Sequence, residues 1–475
     1  MPPALMFWNI SRMPDAEAAD FIENRIFEEL TIGETASLSH TVAQRDIDLF
    51  AAVTGDVNPA HVDPAYAQTD MFHHIIIHGM WGAGLISAVL GTKLPGPGTI
   101  YLGQALRFRH PVNIGDTITA ILTVQEKKPE KGDVTLDCVC TNQDGTPVIT
   151  GTAYVRAPTE KLRIKRTILP DVIIRRHDAL HAILATASGG TPVPTAVIFP
   201  VDELSLSAAI AAASAGLILP ILIGPAARLH ALAKDASLVI EPFRLIDIAE
   251  PAAAAAAGAS LAVSGEVGLL MKGDLHTDVL MHAVISGGLR VGKNISHAYL
   301  LDVPGYPRPL LLTDAAINIA PSLEDKAGII RNAVRLAQII GIAQPRVAIL
   351  AAVETVSMRQ PSTLDAAALC KMADRGQITG ALLDGPLAFD NAISPEAARE
   401  KGISSPVAGQ ADILVVPDLE AGNMLAKQLT FMSGAEAAGV VLGAKVPIIL
   451  TSRADSARTR LASCALAVLA ARAAA

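Results

Sequence analysis

The chain has 475 residues, several times the ~150 of an ordinary domain, so two or three domains are expected. Hydrophobic residues make up 51% and charged residues 18%, which excludes a disordered or collagen-like chain. The net charge of −8 offers no basic face for nucleic acid, and four cysteines in so long a chain cannot make a disulfide framework. The opening MPPALMFWNI lacks the basic segment of a secretion signal. The expectation is a cytoplasmic protein with neither a nucleic-acid nor a membrane partner.

In chain order, residues 1–26 read as a lead and 27–157 as a first domain. In that domain an apolar helical run, GMWGAGLISAVLG, starts at Gly79. Four segments of strand character follow: TIYLGQALRFRHPV, GDTITAILTVQEKKP, GDVTLDCVCTNQDG and TPVITGTAYVRA. Alternation in TITAILTV and TLDCVC, with a turn at Asp144-Gly145, predicts an antiparallel sheet packed on one helix, an α+β arrangement. Cys138 and Cys140 then share one face. Cys370 and Cys464, in Ala-rich helical segments, read as small buried hydrophobes.

The basic stretch APTEKLRIKRTILPD reads as a linker, bounded at 158–170. From 171 to 475, Ala-rich helices alternate with short apolar strands, namely AVIFPV, LILPILIG, LVIEPF, PLLLTD, RVAILAA, ILVVPD and VPIILTS. Strand then helix, repeated, predicts a parallel α/β sheet. The uncharged run from Leu204 to Ala227 is long enough to suggest a membrane span, but Gly216, Pro220 and Gly224 divide it into a buried helix and a strand. The run PAAAAAAG at 251–258 reads as a helix or its lead-in.

The segment from Phe50 to Ser87 carries the densest chemistry. Asp56, Asn58 and His61 sit in a Gly/Pro-containing turn, where an acid and an imidazole can converge on one water. The Gly79 amide falls at a helix N-terminus, where such a donor stabilises an oxyanion by ~2.7–4 kcal/mol. Asp-Val-Asn-Pro is equally a strong turn sequence whose polar side chains cap their own backbone. A metal reading competes, because Asp63, His73, His74 and His78 crowd the same region. The three isoleucines between His74 and His78 favour strand over helix, and no complete ligand set emerges.

The runs TGDVNPAHVD and HGMWGAGLIS resemble the MaoC-like (R)-specific enoyl-CoA hydratases, over about residues 27–157. The resemblance implies a hot-dog fold, a long helix wrapped by an antiparallel sheet. It implies that Asp56 and His61 activate water for addition to a trans-2-enoyl thioester. It also implies that Gly79 donates to the thioester oxygen and that Ser87 is a supporting polar residue.

In the second half no GxxxxGK[ST] loop occurs, and GGLRVG at 287–292 lacks the strand and acid of a dinucleotide site. Polar residues at predicted strand ends are the candidates: Thr313-Asp314, Asp384-Gly385-Pro386 and Thr451-Ser452-Arg453. Arg453 suits bidentate phosphate binding and Ser452 adds a hydroxyl, although an arginine there also suits a solvated cap. The stretches LLMKGDLHTDVLMHAVI, LLTDAAINIAPSLEDKAGI, DGPLAFDNAIS and GAKVPIILTSRADS resemble the phosphate acetyl/butyryltransferase family, over roughly 175–475.

That resemblance implies two α/β/α subdomains of isocitrate-dehydrogenase-like type with the site in the cleft between them. It implies exchange of CoA for phosphate on an acyl group, with Arg453 on the phosphoryl group and Ser452 on the developing charge. Thr313, Asp314, Asn318 and Asp384 would line the cleft. Some family members carry an aspartate six residues after the arginine; here that position is Thr459, with Asp455 nearer.

Together the two resemblances imply a bifunctional acyl-CoA enzyme. Acyl-CoA, CoA and phosphate would be its substrates, with no permanently bound cofactor or metal and a homo-oligomeric assembly. The alternative is one active half, with the other, more readily the transferase half, a non-catalytic CoA-binding or assembly module.

Overall fold

A computed structural model describes residues 21–167, 172, 178–290, 294–450 and 455–474. The chain divides into two compact units, residues 1–174 and 175–475. In the first, the elements are β1 Phe21–Glu23, β2 Thr35–Thr41, α1 Gln44–Thr54, α2 Pro59–Val62, α3 Pro64–Thr69 and α4 Gly79–Thr92. There follow β3 Ile100–Phe108, β4 Thr117–Lys128, β5 Asp133–Thr141, β6 Pro147–Arg156 and β7 Arg163–Lys165.

Five strands form one antiparallel sheet in the order β2-β4-β5-β6-β3. The alternation seen in the sequence sets the faces: Ile118, Ala120, Leu122 and Val124 of β4 point inward, as do Val134, Leu136, Cys138 and Cys140 of β5. Register places Ala120 opposite Cys140 and Leu122 opposite Cys138. Helix α4 supplies Ile86, Val89 and Leu90 to the same core. Each such side chain contributes ~1.5–3 kcal/mol on burial. Burial pushes both thiols up to about 12, so they pack as apolar groups.

The stretch expected to be a linker does not run free of this unit. Strand β7 pairs antiparallel with β1, inside the expected lead. Buried Asn24 bolts the two together: its amide donates to the carbonyls of Pro97 and Glu160, and its oxygen accepts from the Leu162 amide. The composition of 158–167 is polar because one side is exposed, and a short two-stranded ribbon has no apolar period to read.

In the second unit the strands are β8 Val193–Ile198, β9 Ile218–Gly224, β10 Arg244–Asp247, β11 Leu269–Lys272, β12 Ser296–Asp302 and β13 Leu310–Thr313. They continue with β14 Arg346–Leu350, β15 Leu382–Leu387, β16 Ile413–Val415, β17 Glu436–Leu442 and β18 Ile448–Ile449. All eleven join one sheet in the order β10-β9-β8-β11-β18-β17-β12-β13-β16-β14-β15. Two parallel halves flank a central seam where β12 and β17 run antiparallel to their neighbours. The all-parallel expectation therefore holds within each half and fails at the seam. Both seam strands are buried on both faces, so they carry the continuous apolar signature of parallel strands.

The run from Leu204 is helix Glu203–Ser214 followed by β9, and no helix among the described residues is long and apolar enough to cross a membrane. PAAAAAAG lies in helix Pro251–Ser264, with the proline in its first turn. The predicted strand LVIEPF is instead a turn, and β10 starts one residue after it; Pro242, lacking an N–H, interrupts the ladder.

Candidate active sites

In the first unit the chain between α1 and α4 is shaped to bring three side chains together. Helix α1 ends at Gly55, whose φ of 74° lets its amide close back on the Ala51 carbonyl. Asp56 then accepts from the Asn58 amide, and Asn58 caps α2 by accepting from Ala60. The turn chemistry is thus realised, and it spends the Asn58 oxygen on the backbone. Pro59 opens α2, which presents His61 on the next turn.

His61 Nδ1 lies 2.8 Å from the Ile76 carbonyl. A carbonyl can only accept, so Nδ1 carries a proton, and in the neutral ring Nε2 is the nitrogen with the lone pair. The isoleucine run is extended, bridging Asn113 through Ile76, and ends at His78, the cap position of α4. His78 is 1% exposed, and its Nε2–H donates to the Asp56 carbonyl at 3.0 Å. Its ring packs on His61 with centroids 4.1 Å apart and on Phe50 at 4.9 Å.

One carboxylate oxygen of Asp56 and one ring nitrogen each from His61 and His78 lie within 4.8 Å of one another. They sit beside a cavity of about 330 Å³ bounded by His61, Gly79, Trp81, Phe108, Val148 and Ile149, among others. Gly79 opens α4, where an N–H has no intrahelical acceptor. A Cβ there would stand 3.1 Å from the Phe108 ring, so glycine keeps the backbone close to the cavity.

Ser87 lies on the exposed side of α4 and does not line this cavity. Asp63 caps α3, His73 turns toward Gln68, and His74 pairs with Asn113. Of the crowded residues only His78 joins the site. The sequence placed it among the crowded metal candidates; the available signal was its place directly before the Gly79 amide.

In the second unit Thr313 ends β13 and Asp314 follows, both buried. The Asp314 carboxylate accepts from the amides of Ala316 and Ile317 and from the Asn318 side chain, which also donates to the Ile295 carbonyl. These residues organise a loop. Asp384 lies inside β15, not at a strand end as expected. The strand runs on through Pro386 because β15 is the sheet edge, where a residue without an N–H is tolerated. Ser452 and Arg453 lie outside the described residues.

A cavity of about 640 Å³ opens at the seam, lined by Tyr299 of β12, Glu436 of β17, Lys427, Phe431, Asp455 and Thr459 among others. Phe431 belongs to a π-helical turn, Gln428–Met432, that extends helix Leu419–Lys427. Ser456 caps the final helix, Ala457–Arg472, by accepting from the Thr459 amide. Burial and, secondarily, the Asp455 charge raise the Tyr299 hydroxyl above its usual range, so Asp455 and Tyr299 face the same space. Arg460 is buried and donates to the Asp455 carbonyl. With Asp202, Ser205, Lys272 and Asp274 it lines a second, small cavity at the ends of β8 and β11. Sequence reasoning missed this group, although LLMKGD places a lysine and an aspartate just where β11 ends.

A hot-dog unit carrying an acid–imidazole pair and a large mixed-sheet unit with a polar cavity define a two-module chain. Residues 252–468 match the family described as Phosphate acetyl/butaryl transferase, and residues 29–141 match the MaoC like domain. The chain is 58% identical over 289 residues to a phosphate acetyltransferase of Rhizobium meliloti, spanning 60% of this chain and 92% of that one. The crystal structure of a branched-chain phosphotransacylase from Enterococcus faecalis is 29% identical with a TM-score of 0.52, covering 59% of this chain and 99% of that one. The unliganded R-hydratase PhaJ1 of Pseudomonas aeruginosa is 47% identical with a TM-score of 0.32, covering 32% of this chain and 99% of that one. The chain belongs to the phosphate acetyl/butyryl transferase family, and a MaoC-like domain precedes the transferase region in its sequence.

Proposed function

We propose that the chain is a bifunctional acyl-CoA enzyme that hydrates trans-2-enoyl-CoA in its first unit and exchanges CoA for phosphate on a short acyl group in its second. Acyl-CoA, CoA and phosphate are the substrates. The observation that carries hydration is the convergence of Asp56 and His61 beside an apolar cavity that begins at Gly79. Water adds to C3 of the enoyl thioester while its proton passes to the Asp56–His61 pair, with the His61 Nε2 lone pair as acceptor; a proton then returns to C2. The Gly79 N–H faces the thioester oxygen that carries charge in between.

In the second unit a phosphate oxygen attacks the acyl carbonyl, the C–S bond breaks and CoA leaves as the thiolate. Arg453 and Ser452 are assigned to the phosphoryl group. Asp455, facing the seam cavity with Tyr299, is the candidate that takes the thiol proton in the reverse direction. The enzyme's cysteines are poor nucleophiles: burial holds the Cys370 and Cys464 thiols up at about 12, like those of Cys138 and Cys140.

Two assays run in parallel test the proposal: crotonyl-CoA hydration, and phosphate-dependent release of CoA thiol from acetyl-CoA and butyryl-CoA. Asp56→Asn is expected to cut hydration ~10²–10⁴-fold and leave thiol release intact. Arg453→Ala is expected to do the reverse. Cross-effects would contradict two independent sites. Thr459, where some family members carry aspartate, favours a second reading in which the larger unit only binds CoA. Hydration without any phosphate-dependent thiol release would establish that reading.

A further inference from the structure

The first-unit site holds more electron-pair donors than acid–base chemistry requires. His61 spends its Nδ1–H on the Ile76 carbonyl, and His78 spends its Nε2–H on the Asp56 carbonyl. In its neutral form each ring therefore keeps one nitrogen lone pair free of the backbone. The His78 Nδ1 is buried and has no hydrogen-bond partner among the described residues. With the exposed Asp56 carboxylate, one ring nitrogen of each histidine and one carboxylate oxygen lie within 4.8 Å of one another. Imidazoles locked by donation to a backbone carbonyl are the usual outer-shell arrangement of metal-binding histidines.

We propose that Asp56, His61 and His78 form a binding site for a divalent transition-metal ion of the zinc type, and that occupancy of this site switches the first unit off. Nitrogen donors select zinc-like ions over magnesium or calcium, which take oxygen ligands. Bonds of ~2.0–2.2 Å put tetrahedral ligand atoms about 3.3 Å apart, so the cluster must tighten on binding. The buried His78 ring is the fixed anchor, while Asp56 on its turn and the half-buried His61 supply the movement. The fourth position faces the cavity lined by Gly79 and Phe108, where a water or a substrate oxygen would sit. Metal binding removes the His61 lone pair and the Asp56 charge from proton transfer, so inhibition follows from occupancy alone.

The test is calorimetric titration of the full chain with zinc chloride in excess magnesium. One zinc per chain is expected. Asp56→Asn and His61→Gln should each weaken binding ~10–100-fold, while His74→Gln leaves it unchanged. Cobalt substitution is expected to give the visible absorption of a tetrahedral ion, lost in the same two variants. Where crotonyl-CoA hydration is measurable, it should fall with the midpoint of zinc binding while thiol release persists. Binding weaker than about 100 μM, or binding that both variants leave untouched, overturns the proposal. The calorimetric and spectroscopic arms decide it even if the first unit hydrates nothing.

Discussion

Gly79 shows how little separates a tolerated residue from a damaging one. Its amide opens α4 at the cavity, and a methyl group at that position would press on the Phe108 ring. Gly79→Ala is expected to fold, because alanine is the better helix former, yet to displace either the ring or the backbone donor by a few tenths of an ångström. On the proposed function, a loss of roughly 10-fold or more in hydration kcat, with thiol release unchanged, is the expected outcome. An unchanged kcat would remove the amide from the mechanism. Asp56, Asn58 and His61 were legible because they fall within one short turn, where sequence distance approximates spatial distance. His78 was not, since its bond to the Asp56 carbonyl closes a loop of two short helices and an extended run. No local period records that closure.

At the scale of elements, the seam strand β12 carries a titrating group with no surface exposure to speak of. His297 is fully buried beside Tyr299, and burial lowers its pKa from 6.5 to about 4, against an opposing pull from the Asp314 carboxylate. The native unit keeps the ring neutral, while the unfolded chain protonates it near its ordinary value. Stability from this group is therefore complete above about pH 6.5 and declines as pH falls from there toward 4. Urea unfolding of the second unit is expected to show a lower midpoint at pH 5 than at pH 7, and His297→Gln should flatten that difference. A wild-type midpoint that does not move over this range would show that the ring is not held neutral.

The same strand marks where reading the sequence stopped short. AVIFPV, RVAILAA and ILVVPD announce their strands because apolar runs bounded by Pro or polar residues need no partner to be recognised. The directions of β12 and β17 depend on what lies beside them, and apolar residues on both faces fit either sense. Asp384 was misplaced for a related reason: Gly385-Pro386 reads as a strand end unless the strand is known to be an edge.

At the scale of the whole molecule, the first unit keeps its described strand pairings to itself, from β1 on β7 to the five-stranded sheet. A fragment ending at residue 174 is expected to unfold in one cooperative transition and, on the proposed function, to retain hydration without thiol release. A broad, non-cooperative melt would show that the unit needs the rest of the chain. The two-part organisation was visible as a change of grammar near residue 157, from alternation to Ala-rich strand and helix. The pairing of β7 with β1 was not, because three-residue strands carry too little pattern.

The central seam also governs how the protein can be made. Strand β12 waits for β17, Ser296 pairing with Leu442, and β11 waits for β18, Leu270 pairing with Ile448. A ribosome adding ~5–20 residues per second completes the first unit long before these partners emerge. The larger sheet, by contrast, stays split into two half-sheets with open edges until residues 436–449 are out. During that interval the edges of β11 and β12 are exposed to other nascent chains. Premature termination between residues 400 and 435 should therefore release a folded first unit tethered to an aggregation-prone remainder.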